Sequence, residues 1–282
     1  MTAGDTAMRI ALIADTHLSA RSPECVANWH AARRAVGRTA AELTIHLGDI
    51  SLDGQTHADE LGFAARLMQH WPTEVRCVPG NHDLGDGSGE VPLDASLMQA
   101  YQDVFGPCHW ACHADGWLLL GLDAQLLGSD SAQEAALWQW IAHQAAHPGT
   151  QAHTALFLHR PVLRPTTGDL TRRGRYVAAE AAARLLTGPL QPTLRLVVSG
   201  HTHQFLDTVV DGVRHIWMPS TAFILPDDLQ TRLGEKLVGL GLLELGPQAA
   251  RFDLWCPDGM TRHEVNRLGF FRTLSDPAAS DP

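Results

Sequence analysis

The chain has 282 residues, 45% apolar and 18% charged, with a formal charge of −10; such a chain buries a sizeable core and is excluded from the disordered class. The acidic balance weighs against a broad nucleic-acid-binding face, because neutralising phosphates needs surplus Lys and Arg. No apolar run approaches the ~18 residues of a membrane-spanning helix, and the apolar stretch at 10–14 is too short for a signal-peptide core, so a cytoplasmic protein with no membrane attachment is expected.

Along the chain, short apolar runs alternate with longer amphipathic stretches, as strands alternating with helices do. A strand at 9–14 leads to a helix at 23–42, a strand at 43–47 to a helix at 57–70, and a strand at 74–78 to a helix at 95–104. The next segment, Cys108-His109-Trp110-Ala111-Cys112-His113, has a Cys spacing one residue too long for haem attachment, and no second Cys pair completes a zinc site. It reads as a strand that begins after Phe105-Gly106-Pro107 and hairpins at Asp115-Gly116 into a strand at 117–122. A helix at 132–146, a strand at 154–158, a helix at 176–186 and a strand at 194–199 continue the alternation. Such alternation implies a largely parallel sheet covered by helices, whereas the last runs, at 215–218, 236–245 and 250–255, look like an antiparallel meander. The tail at 275–282 is expected to be disordered. Five irregularly spaced cysteines fit free thiols in a reducing compartment.

The chemistry lies at the carboxyl ends of the strands. Asp15-Thr16-His17 comes after the first, Gly48-Asp49 after the second and Gly80-Asn81-His82-Asp83 after the third. His159 closes the strand at 154–158, and Gly200-His201-Thr202-His203 comes after the strand at 194–199. Open α/β sheets bind ligands outside the carboxyl ends of their strands, so these loops can meet at one edge. Asp, His and Asn are donors for Mn, Fe or Zn. Seven candidates, Asp15, His17, Asp49, Asn81, His159, His201 and His203, are too many for one ion and suit two ions sharing a carboxylate. The neighbouring glycines fit tight turns where backbone approaches a metal closely.

This ordered set resembles the calcineurin-like metallophosphoesterases over roughly residues 8–222. The resemblance implies an α/β fold, a four-layer α/β/β/α β-sandwich flanked by helices, with a domain at 8–245 and a C-terminal strand and tail at 246–282. It further implies that Asp15, His17 and His203 bind one metal ion, that Asn81, His159 and His201 bind a second, and that Asp49 bridges them. A metal-bridging hydroxide would attack phosphorus. Asp49 and His82 would be the catalytic residues, with His82 stabilising the transition state and protonating the leaving oxygen, and Asn81 and His82 would also touch substrate. The protein Ser/Thr phosphatases continue Gly-Asp with a nearby Asp-Arg-Gly and place Glu after Asn-His; Gly48-Asp49-Ile50-Ser51-Leu52-Asp53-Gly54 lacks that Arg, and Asp83 stands where they have Glu. Asp15-Thr16-His17-Leu18, Gly80-Asn81-His82-Asp83 and Met218-Pro219-Ser220-Thr221 are more similar to bacterial class III cyclic-nucleotide and glycerophosphodiester phosphodiesterases.

Other residues carry smaller expectations. His46 reads as a hydrogen-bonded core residue rather than a ligand. Asp53 either orients His82 or caps the helix at 57–70. Asp123 either supports a ligating histidine or serves a turn, and Trp138 and Trp140 pack. After His159 come Arg160, Arg164, Arg172, Arg173 and Arg175. Arg172 and Arg173 are the candidates for gripping substrate, with a solvated loop as the alternative. The reading is therefore a phosphodiesterase of small molecules, of cyclic-nucleotide or glycerophosphodiester type, with no nucleic-acid partner and a homo-oligomer as an open option. A phosphomonoesterase, a nuclease and a non-catalytic scaffold are the rivals.

Overall fold

The structure is a computed structural model that describes residues 7–85, 93–114, 116–147, 152–164 and 174–271. Asp115, Arg172, Arg173, Thr166-Thr167-Gly168 and the tail at 275–282 lie outside the described residues. The first half of the chain forms β1 (Met8–Ile13), α1 (Pro23–Val36), β2 (Leu43–His46), α2 (Ala58–Met68), β3 (Glu74–Cys77), α3 (Asn81–Leu84), α4 (Ala95–Phe105), β4 (Trp110–Ala114), β5 (Trp117–Leu122) and α5 (Ala132–Ala146). The second half forms β6 (His153–Leu158), α6 (Ala179–Thr187), β7 (Leu194–Ser199), β8 (Leu206–Val210), β9 (Val213–Trp217), β10 (Phe223–Ile224), β11 (Leu240–Leu245), β12 (Ala250–Trp255) and β13 (His263–Glu264).

Side chains alternate across a strand, so a strand buried on both faces must lie between two layers. Ile10 and Leu12 of β1 enter one buried cluster with Leu119, Phe157, Leu196 and Val198. Their neighbours Ala11 and Ile13 enter a second with Trp29 and Ala32 of α1 and Ala64 of α2. In β5 and β6, Leu118, Leu120, Leu156 and Leu158 enter a third, with Leu137 and Ile141 of α5 and Leu185 of α6. The result is helices, sheet, sheet, helices, and the expected four-layer α/β/β/α sandwich holds.

One sheet runs β12-β11-β1-β2-β3 and the other β4-β5-β6-β7-β9-β8. β1 pairs parallel with β2, β2 with β3, β5 with β6, β6 with β7 and β7 with β9. β4 pairs antiparallel with β5, so the Cys108–His113 segment is the expected hairpin strand. Of the expected meander at 215–218, 236–245 and 250–255, the last two runs do pair antiparallel, but the first does not join them. β9 belongs to the second sheet, antiparallel to β8, whereas β11 and β12 form the antiparallel edge of the first. The cause is local: Asp211 and Gly212 adopt φ of 50° and 78°, the turn that folds β8 back on β9. Beyond β9, the chain crosses to the first sheet, where the Thr221 amide donates to the Ala14 carbonyl (2.9 Å).

Helix boundaries also shift. α1 stops at Val36 rather than 42, because the Arg38 and Thr39 amides turn to the carbonyls of Ala35 and Val36, three residues back, and the Thr39 hydroxyl also donates to Val36. α6 begins three residues after Tyr176, because the Val177 amide donates to the Pro161 carbonyl (3.0 Å) instead of joining a helix.

His215 on β9 is buried, and burial lowers its pKa to about 4, whereas in an unfolded chain it titrates near 6.5. Between those values the unfolded chain binds more protons, so stability is lost as pH falls from about 6.5 to about 4. His215→Asn should flatten the fall in melting temperature over that window. An unchanged slope would place the acid sensitivity elsewhere.

Candidate metal centre

The five motifs meet at the carboxyl ends of β1, β2, β3, β6 and β7. Gathering so many donors requires backbones closer than side chains normally allow. A Cβ at Gly80 would overlap the Asp49 carboxylate and amide; one at Gly48 would lie 2.7 Å from His159 Nδ1, and one at Gly200 2.7 Å from Asp15 Oδ2. The turns themselves are strained. Asp15, His17, Asp49, His201 and His203 all have left-handed backbone, with φ of 52°, 45°, 51°, 68° and 52°. Among the described non-glycine residues only Asp130 and Asp211 share that conformation without being a candidate ligand, so this strain is concentrated at the site.

The donors form two outer groups, Asp15 with His17 and His203, and Asp49 with His159 and His201, and a third group of His17, Asp49 and His82 joins them. In the first, His203 Nε2 lies 3.4 Å from Asp15 Oδ1 and 3.2 Å from His17 Nε2. In the second, His159 Nε2 lies 3.3 Å from Asp49 Oδ2, 3.0 Å from His201 Nδ1 and 3.2 Å from Asn81 Oδ1. Asp49 Oδ2 is also 3.9 Å from His17 Nε2, which puts this carboxylate between the two groups. All seven predicted donors are thus brought together.

Hydrogen bonds decide which nitrogens are available. His203 Nδ1 donates to the Phe223 carbonyl (2.8 Å) and His159 Nδ1 to the Leu47 carbonyl (2.8 Å). A carbonyl only accepts, so in each neutral ring Nε2 carries a lone pair. Those lone pairs face the acceptor oxygens of Asp15, Asp49 and Asn81. Acceptors aimed at acceptors in a buried site repel unless a cation lies between them, and the mixed nitrogen and oxygen set suits a divalent metal. The residues therefore fit metal ions.

The electrostatics agree for His17 and His201 and differ for His159, where Asp49 favours a proton in place of a cation. Burial, then the neighbouring His82, holds the His17 pKa well below its usual value; burial, then His159, does the same for His201. Both are kept in the neutral form that a metal needs. Burial opposes the charged form of His159 as well, but the Asp49 carboxylate outweighs it and raises that pKa to about 9. Burial likewise opposes ionisation of Asp49, yet His159 and His82 hold it below the usual carboxylate range.

His82 is half-buried and faces the same space. Its amide donates to Asp49 Oδ1 (2.8 Å), and its Nδ1 to the Leu52 carbonyl (2.7 Å), so Nε2 is the free nitrogen. The expectations for Asp53 fail. Its carboxylate faces Arg21 (3.4 Å), Gln55 (2.9 Å) and His57 (3.5 Å), and α2 has no side-chain cap. Leu52 orients His82 instead. Asp83, buried, ties the loops together by accepting from the amides of Ile50, Ser51 and Gly80 and from the Ser51 hydroxyl. His46 is the expected core residue, its Nε2 2.9 Å from the Thr16 hydroxyl. Asp123 serves a turn, accepting from the Gln125 amide (2.9 Å).

A cavity of about 380 Å3 opens over the donors. Arg160 and Arg175 line it, both buried, whereas Arg164 lies over the Tyr176 ring. Its remaining lining includes Phe223, Leu225, Val265, Phe270 and Phe271, which nothing in the motifs marks.

A family model described as calcineurin-like phosphoesterase matches residues 8–205, which contain all seven donors. The chain is a calcineurin-like phosphoesterase. This phosphoesterase is 27% identical to the 3′,5′-cyclic adenosine monophosphate phosphodiesterase CpdA of Escherichia coli K12, across 98% of this chain and 96% of that protein. It is 28% identical to a probable cyclic nucleotide phosphodiesterase of Psychrobacter arcticus, over 56% of each chain. Among solved structures, it resembles purple acid phosphatase PPD1 from yellow lupin with a TM-score of 0.63 at 11% identity, over 93% of this chain and 53% of that one. A dimetal phosphatase from Danio rerio gives 0.56 at 15% identity, over 89% and 100%. At those identities the likeness establishes the fold. The phosphoesterase is a hydrolase of phosphoric esters from a family that works with divalent metal ions, and among its described residues no helix is long and apolar enough to cross a membrane.

Gly80 has φ of −109°, which any residue adopts, and the nearest atoms an alanine Cβ would meet there all belong to Asp49. Gly80→Ala should preserve the circular dichroism spectrum yet lower bound metal and cut turnover of an aryl phosphate ester about 100-fold, as misplacement by an ångström does. Full metal content and activity would show that the turn yields.

Proposed function

We propose that this enzyme hydrolyses phosphodiester bonds of small molecules, 3′,5′-cyclic nucleotides first and glycerophosphodiesters next, using two metal ions among Mn, Fe and Zn. The observation that carries the reading is the meeting of two donor groups at one carboxylate, Asp49. In this assignment Asp15, His17 and His203 hold one ion, Asn81, His159 and His201 hold the other, and Asp49 serves both. Two such ions, when bound, lower the pKa of water and neutralise charge on the reacting phosphoryl group. The near-full-length similarity to a cyclic AMP phosphodiesterase supports the choice of a diester.

The chain's own groups complete the chemistry. A diester's leaving alkoxide departs far more easily when protonated. His82, fixed at Nδ1 by Leu52 and bearing its other nitrogen toward the cleft, is placed as the imidazolium, with a proton on both nitrogens, to give the Nε2 proton to the leaving oxygen and to stabilise the charge that precedes it. Its amide holds Asp49, so the proton donor and the shared carboxylate keep one geometry. Arg160 and Arg175 bring fixed positive charge to a cleft whose substrate is an anion.

Metal analysis of two variants tests the shared carboxylate. Asp49→Ala should lose both ions and Asp15→Ala mainly one; equal losses would remove the two-ion assignment. For His82→Ala, metal content should stay normal while kcat falls by about 10²–10⁴-fold on cyclic AMP. The fall should be much smaller on bis(p-nitrophenyl) phosphate, whose leaving group needs no proton. A drop of the same size on both would leave charge stabilisation but rule out proton donation.

A further inference from the structure

The family match ends at residue 205, yet the cleft does not. Strand β13 pairs parallel with β10, setting His263 beside Phe223 and Glu264 beside Ile224. That pairing carries the chain at 265–271 to the site. Val265, Leu268 and Phe270 are buried in one cluster with Leu52, Ala222 and Phe223, and Leu225 and Phe271 pack against it. Phe223 stacks on the His17 ring at 4.8 Å, and Phe270 follows it at 5.8 Å. An aromatic row therefore runs from a candidate ligand into the C-terminal segment.

The cleft lining divides by chemistry. The donors, His82, Arg160 and Arg175 suit a phosphate, whereas Phe223, Leu225, Val265, Phe270 and Phe271 offer no hydrogen bond to one. Phosphate oxygens against such a surface would lose their water without compensation. A flat ring gains there instead, through apolar burial and stacking on phenylalanine.

We propose that the C-terminal segment at 265–271 determines specificity: Phe270 and Phe271, with Leu225 and Val265, hold the heterocyclic base of the substrate while the phosphodiester lies at the donors. The proposal rests on the diesterase reading only for the form of the phosphate. It requires selection for a base-bearing ester over a base-free ester with the same reacting group.

The experiment compares 3′,5′-cyclic AMP with the 3′,5′-cyclic phosphate of 1-deoxyribose on the metal-loaded enzyme. The native enzyme should favour cyclic AMP in kcat/KM by about 10-fold or more, the range set by one base stacked on aromatic side chains. Phe271→Ala should lower kcat/KM on cyclic AMP about 10-fold more than on the base-free diester, mainly through KM. Phe271→Tyr, which keeps the ring, should restore the preference. Phe270→Leu, which keeps most of the buried volume, should erode it with little change in melting temperature. Equal rates on both diesters in the native enzyme, or equal losses on both in Phe271→Ala, would overturn the proposal. If neither diester is cleaved, the diesterase reading fails. Calorimetric binding of AMP against ribose 5-phosphate then decides the base preference, and equal affinities would overturn it.

Discussion

Asp49 can stand between His17 and His159 only because the chain passes the sheet edge without side chains at three points. Gly48, Gly80 and Gly200 each leave room that a Cβ would fill with atoms of His159, Asp49 or Asp15. Five of the seven donors sit on left-handed backbone, which costs a non-glycine residue on the order of 1 kcal/mol. Such turns persist where their surroundings over-determine them. Here the surroundings are two sheets buried on both faces, whose strand ends cannot relax without disturbing three apolar clusters.

The same burial that steadies the turns sets their chemistry. It holds His17 and His201 toward their neutral forms, and backbone carbonyls at Leu47 and Phe223 take Nδ1 of His159 and His203, which leaves Nε2 as the nitrogen each neutral ring offers a metal. A low-dielectric pocket lined with lone pairs is unfavourable by itself and favourable around a cation. Metal affinity is thus a consequence of packing as much as of residue type. Asp83 extends the logic outward. It accepts from the amides of Ile50 and Gly80, so the loop after β2 and the entrance of α3 move as one piece.

Much of this was legible in the sequence, because strand period and donor motifs point to the same positions. An apolar run that ends in Asp, His or Gly-Asn-His fixes both a strand and its address at the sheet edge. Three kinds of feature were not legible. β8, Leu206-Asp207-Thr208-Val209-Val210, lies at an exposed edge and shows neither an apolar run nor a period of two, so its hairpin with β9, and the break in the expected meander, went unseen. Leu52 orients His82 through a carbonyl, and a carbonyl has no residue signature; Asp53, one position on, drew the expectation instead. Phe223, Phe270 and Phe271 line the cleft, yet in sequence they match any core phenylalanine. Of the five arginines after His159, the motif could name the loop but not which guanidinium faces inward; of the three among the described residues, Arg160 and Arg175 line the cleft.

The metal platform and the apolar wall are separate in sequence and joined in space at Phe223. Its carbonyl fixes the His203 ring, its own ring packs on His17 and on Phe270, and β10, which it begins, pairs with β13. A substitution in the C-terminal segment can reach the donors through Phe223, by shifting a ring that two candidate ligands lean on, and His82 through Leu52 of the same cluster. The converse also holds: drawing His17 and His203 onto a cation anchors Phe223, and with it the surface that the rest of the substrate meets. The metal donors and the apolar wall therefore share Phe223 as a point of contact. The segment beyond the family match is part of the site's mechanics, through Phe223, as well as part of its wall.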